Sequence, residues 1–187
     1  MGCQNDPSTE PATWSSKSNS VLASDLRNPE LRHYQPVHGS TNLTVSRDAA
    51  LEILLQAMDS ENPLLRANAI EALHGNPRVL VPAVLQGLTD ENRGVRFVAA
   101  MTVGKQQIFE VASHLEPLLN DHSDSVRAAA IYAMERCHKE VDLSPLANML
   151  LGDNPEVRAN VALIFGELGN PSAVPILILA TRRPLSR

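Results

Sequence analysis

Four arginines, Arg66, Arg96, Arg127 and Arg158, stand 30, 31 and 31 residues apart, and each sits in the same short pattern. Ahead of each comes a polar residue suited to capping a helix: Asn62, Asn92, Ser123 or Asn154. A branched apolar residue immediately precedes each arginine, and small or branched residues follow three and four positions later. A fixed period of this size belongs to stacked supersecondary units, none of which can bury its apolar face alone. Each unit reads as two helices. In the second, the cap accepts from orphan backbone N–H groups, and Pro63 and Pro155 take the first helical position, where no N–H is needed. Leu65, Ala69, Ile70 and Leu73 then recur at helical spacing, as do Val157, Val161, Ala162, Phe165 and Leu168. Gly75 and Gly169 are placed to end two of these helices in the left-handed conformation. The first helices are expected from Ala49 to Met58, Val81 to Leu88, Ala112 to Leu119 and Leu143 to Leu151. Pro82, Pro117, Pro145 and Pro175 fall within or near the start of such helices.

The segments Asp124-Ser125-Val126-Arg127-Ala128-Ala129-Ala130 and Asn154-Pro155-Glu156-Val157-Arg158-Ala159-Asn160-Val161-Ala162 carry a resemblance. A helix pair of this length with Val-Arg opening its second helix resembles the HEAT repeat, in particular the short HEAT-like type of phycobilisome lyases. The resemblance covers roughly residues 47 to 181. It implies an all-α, right-handed α-solenoid of four helix pairs and a partial fifth, occupying residues 46–187. The arginines Arg66, Arg96, Arg127 and Arg158 are expected to form a structural ladder, bridging to acids in the turns such as Asp90, Asp121 and Asp153.

Composition narrows the function. An apolar fraction of 43% supports a core, and with one Trp, two Tyr and three Phe that core must pack helix on helix through Ala, Leu and Val. The net charge of −5 includes no basic block, so no nucleic-acid partner is expected. The apolar run Val174 to Ala180 is about one-third of a membrane span, and no transmembrane segment is expected. Residues 1–45 are rich in Ser, Thr, Asn and Pro without periodicity, which predicts a disordered polar tail or tether. Met1-Gly2-Cys3 leaves three readings open: an unmodified terminus, a lipoprotein cysteine at Cys3, and a myristoyl–palmitoyl pair. Asp6 departs from the myristoylation pattern, and only two residues precede Cys3 where a lipoprotein signal is needed. Localisation follows that choice, cytoplasmic or membrane-anchored.

No catalytic constellation emerges. HEAT-like metalloenzymes hold iron through His-Glu dipeptides, and none of the six histidines here is followed by Glu. Cys137 and His138 are adjacent, so on a helix they point about 100° apart and do not form a nucleophile and its base. No catalytic residue, cofactor or metal is expected. The favoured reading is a non-catalytic protein-interaction scaffold whose concave face, lined by the second helices, binds a protein partner. The alternative is a component of an enzyme system such as a bilin lyase subunit. Counting from each arginine, Phe97, Val98, Met101, Tyr132 and Leu163 fall on the outward positions, with Arg136 beside them, and form the expected partner-binding strip. The last helix, around Val174 to Ala180, lacks a polar face, so either a truncated fifth repeat or self-association is expected there.

Overall fold

Polar caps set where the helices begin. In the computed structural model, residues 47–182 are described, and every regular element among them is helical. Helices α1 (Arg47–Met58) and α2 (Pro63–Ala72) form the first pair, and α3 (Pro77–Leu88) and α4 (Arg93–Gln106) the second. A 3-10 stretch (Phe109–Asn120) and α5 (Asp124–Arg136) form the third; α6 (Ser144–Leu150) and α7 (Pro155–Leu168) form the fourth. A 3-10 turn (Pro171–Ala173) then leads into α8 (Val174–Thr181), the first helix of a fifth unit. The architecture is an all-helical solenoid.

The side chains of Asn62, Asn92 and Asn154 accept from the N–H groups of Leu64, Gly94 and Glu156 at 2.9, 2.8 and 3.0 Å. Ser123 differs, making no side-chain cap to α5. Its own N–H instead donates to Asp121 Oδ1 at 2.8 Å. Helix ends also depart from expectation. Gly169 closes α7 with φ 64°, but Gly75 is not left-handed; α2 tightens instead into a 3-10 turn over Leu73–Gly75. The other left-handed closures use side-chain-bearing residues, Gln107 (φ 51°) and His138 (φ 55°). Both are held by paired bonds: Ile108 N–H donates to Val103 O and Gln107 N–H to Gly104 O, while Lys139 and His138 donate likewise to Met134 and Glu135. The first helix of the third unit, expected over Ala112 to Leu119, is wound as 3-10 from Phe109 to Asn120. Ile108 supplies no side-chain cap there, and Pro117 removes one N–H and crowds the carbonyl four residues back.

The second helices pack in sequence, α2 on α4, α4 on α5 and α5 on α7, and each contacts the first element of its own pair. Small residues make this close. In α5, Ala128, Ala129, Ala130 and Ala133 are fully buried, alongside Val126 and Tyr132. Gly104 of α4 makes room for Tyr132: a Cβ there would stand 2.4 Å from the ring's Cε1. No described helix is long and apolar enough to cross a membrane. Cys3 and the tail of residues 1–45 lie outside the described residues.

Candidate partner-binding face

The arginine at the start of each second helix is the scaffold on which this face is built. Every one donates from Nη1 to the backbone carbonyl six residues earlier. Arg66 reaches Ser60, Arg96 reaches Asp90, Arg127 reaches Asp121 and Arg158 reaches Gly152, at 2.7, 2.8, 2.7 and 3.3 Å. The remaining guanidinium N–H groups reach forward into the next repeat. Arg66 Nε and Nη2 donate to the two carboxylate oxygens of Asp90 at 2.7 and 2.8 Å. Arg96 does the same to Asp121 at 2.7 and 3.0 Å. Planar bidentate pairs of this kind are strong and directional. The Arg66 hydrogen bond holds the Asp90 carboxyl below its ordinary range, against the opposing effect of burial. For Asp121 burial is the largest influence and pushes upward, yet the Arg96 bond, the Ser123 N–H and nearby positive charge together keep it low.

The forward clamp stops at the third repeat. Asp90 and Asp121 each stand six residues before the next arginine, and the residue so placed before Arg158 is Gly152, not Asp153. Arg127 pairs instead with Asp124 on its own helix. Asp153 makes no ion pair with it, which departs from the expected rung. The register of the period, six residues back from the arginine, decides which acid can be reached.

Between the second helices lies the face itself. Arg93 Nη2 of α4 and Glu156 Oε2 of α7 are 3.0 Å apart. Near the other ends of the same helices, Lys105 Nζ and Glu167 Oε1 are 3.6 Å apart. Both contacts pass over α5, so α4 and α7 lean together and the surface is concave. Asn160 Nδ2 of α7 donates to Ser125 Oγ of α5 at 2.9 Å beneath them. A groove of about 560 Å³ runs across the amino-terminal ends of the four second helices; Leu64, Phe97, Val98, Arg93, Glu156 and Asn160 are among its lining residues.

This geometry redraws the expected strip. Phe97 and Val98 are half-buried and line the groove, and Leu163 is 48% exposed. Met101 and Tyr132, by contrast, are 4% and 1% exposed and belong to the core. The position five residues after the arginine is exposed in the outer repeats, as Glu71 and Leu163, but is covered in the middle ones by flanking helices. Tyr132 fills the space over Gly104, and burial pushes its hydroxyl pKa up. Arg136, half-buried at the end of α5, lies away from the groove and accepts from Gln107 Nε2 through its backbone carbonyl at 3.3 Å. Sequence reasoning missed Leu64, Arg93 and Glu156, whereas Asn160, two places after Arg158, is at an outward-facing position by the same count that gave the strip. Leu64 had a signal, an apolar residue two places before its arginine where the later repeats carry Gly94, Ser125 and Glu156.

Cys137 is buried, which pushes its thiol pKa up, while His138 is exposed and stacked on Phe109 with centroids 5.9 Å apart. Among the described residues no group of three His, Cys, Asp or Glu could hold a metal ion.

The family model of HEAT repeats matches residues 46–135, the first three helix pairs. It is the general HEAT-repeat model and does not single out the phycobilisome-lyase type. Among curated proteins, none matches the chain.

Proposed function

We propose, for this HEAT-repeat protein, a non-catalytic scaffolding role in which a protein partner docks along the concave groove. HEAT repeats commonly act as protein-interaction scaffolds. The observation that carries the reading to this face is the groove across four successive helix starts, with Leu64 64% exposed and Phe97 and Val98 half-buried along it. Apolar groups in a concavity with charged residues such as Arg93 and Glu156 at hand match the layout of interfaces, an apolar centre and a polar rim. The bilin-lyase alternative has no observation of its own in its favour.

The test is affinity capture from the native cells with Leu64→Asp and Val98→Asp. Both variants are expected to keep the wild-type thermal midpoint within a few degrees and to lose the same captured protein. Capture that survives both substitutions would remove the groove from the interaction. A second reading, self-association through α8, draws support from Val174, Ile178 and Leu179, each about half exposed. Sedimentation of Ile178→Glu against wild type over a range of concentrations tests it.

A further inference from the structure

Three turns lead from a first element into a second helix by the same backbone route. The N–H groups of Asp90, Asp121 and Gly152 donate to the carbonyls of Gly87, Leu118 and Met149 at 3.3, 3.2 and 3.2 Å. Each of the three then offers its own carbonyl to the arginine six places on, Arg96, Arg127 or Arg158. In the first two turns the side chain adds a carboxylate with two duties. Asp90 binds Arg66 and accepts from the Asn92 N–H at 2.8 Å; Asp121 binds Arg96 and accepts from the Ser123 N–H at 2.8 Å. Gly152 keeps the backbone of this seat and brings no carboxylate to it.

The donors that such a carboxylate satisfies are still there. Arg127 donates through Nη1 to the Asp121 carbonyl and through Nη2 to Asp124, but its Nε makes no hydrogen bond among the described residues. The Asn154 N–H, counterpart of those of Asn92 and Ser123, makes none either. Arg127 is also the more open side chain, 32% exposed against 10% and 17% for Arg66 and Arg96. Between Arg127, Gly152 and Asn154 lies a cavity of about 440 Å³, with Asp124, Asp153 and Met149 also on its wall.

We propose that this cavity binds a carboxylate supplied by another molecule, seated where Asp90 and Asp121 seat their own in the two preceding turns. One oxygen takes the Arg127 Nε–H, as Asp121 Oδ2 takes that of Arg96. The other takes the Asn154 N–H, as Asp121 Oδ1 takes that of Ser123. Hydrogen bonds between a guanidinium and a carboxylate are among the strong ones. Asp124 and Asp153 repel further negative charge, so the site selects a singly charged carboxylate over a sulfate or phosphate dianion. Its lining shares no residue with the concave groove, and its occupation does not depend on a partner there.

Acetate titrated at constant ionic strength into the isotope-labelled 187-residue chain tests the site by NMR. The Asn154 amide and the Arg127 Nε–H are expected to shift together and to saturate, while sulfate gives no saturable shift. Gly152→Asp supplies the carboxylate from within and should weaken acetate binding by at least about tenfold, the scale of one charge-assisted hydrogen bond. A Cβ at residue 152 stands 3.2 Å from Met149 O, so Arg127→Gln, which leaves that turn alone, is the second variant and should lose binding to the same degree. Shifts that fail to saturate, that sulfate reproduces, or that persist in either folded variant would overturn the proposal. N-acetyl-aspartate amide in place of acetate reads the source: tighter half-saturation marks the acidic side chain of a polypeptide, and equal half-saturation a small free acid.

Discussion

Arg93 and Glu156 are 63 residues apart in the chain and 3.0 Å apart in space, two repeats brought together across the helix between them. With both side chains more than half exposed, the contact contributes at most about 1 kcal/mol. Its value is as a gauge of curvature. Lys105 and Glu167 repeat the relationship near the far ends of the same two helices, so α5 is enclosed along its length and not at one point.

The forward clamp predicts unequal arginines. Arg96→Ala leaves the Asp121 carboxylate, 10% exposed, without its partner and should cost about 3 kcal/mol in urea unfolding. Arg127→Ala removes a guanidinium that is 32% exposed, ion-paired within its own helix and bonded to the Asp121 carbonyl as Arg96 is to that of Asp90, and should cost about 1 kcal/mol, less than Arg96→Ala. Equal losses would mean that the cross-repeat carboxylate contributes nothing.

Acid should reveal the same clamps. Asp90 and Asp121 have folded pKa values held below the ordinary carboxylate value. Depressed values make their stabilisation fully present above the unfolded value near pH 4 and lost as pH falls through the folded values. Stability measured downward from about pH 5 should therefore fall, and the doubly substituted Asp90→Asn, Asp121→Asn chain should show a shallower slope. A slope unchanged by the substitutions would place the acid sensitivity elsewhere.

The middle of the stack should resist enlargement. Gly104→Ala sets a methyl group 2.4 Å from Tyr132 and 3.0 Å from the Ala133 backbone, so a loss of about 1–3 kcal/mol is expected from thermal unfolding. Tyr132→Glu and Met101→Glu should unfold the protein outright, because both side chains are core. A normally folded Tyr132→Glu would restore that residue to the surface.

Much of this was legible in the chain. The 31-residue recurrence and the asparagine caps place the second helices, because cap chemistry is local and needs no neighbour. What lay hidden depends on neighbours. Met101 and Leu163 hold the same position in their repeats, yet only the helices beside α4 bury one of them. Asp153 looked as good an acid as Asp121, and one residue of register put Gly152 in its place. The left-handed ends at Gln107 and His138 carried no glycine to announce them.

Gly169 does carry that signal, and its φ of 64° gives a direct check. Gly169→Ala should destabilise by about 1 kcal/mol through backbone strain alone, since nothing crowds a methyl group there. A neutral result in a chemical denaturation series would mean that α7 ends differently.

Arg66 and Arg96 each grip the turn behind through a carbonyl and the turn ahead through a carboxylate, and Arg127 grips the carbonyl of Asp121 as Arg96 grips that of Asp90, which makes the joints at Asp90 and Asp121 chemically interchangeable. Excising residues 91–121, one full period, would bring Asp90 to the place six residues before Arg127 and leave both grips matched. Duplicating that block would do the same. The amino-terminal joints can thus gain or lose whole units during evolution without new chemistry, while the joint at Gly152 has no carboxylate to exchange, so modular growth is confined to one half of the stack.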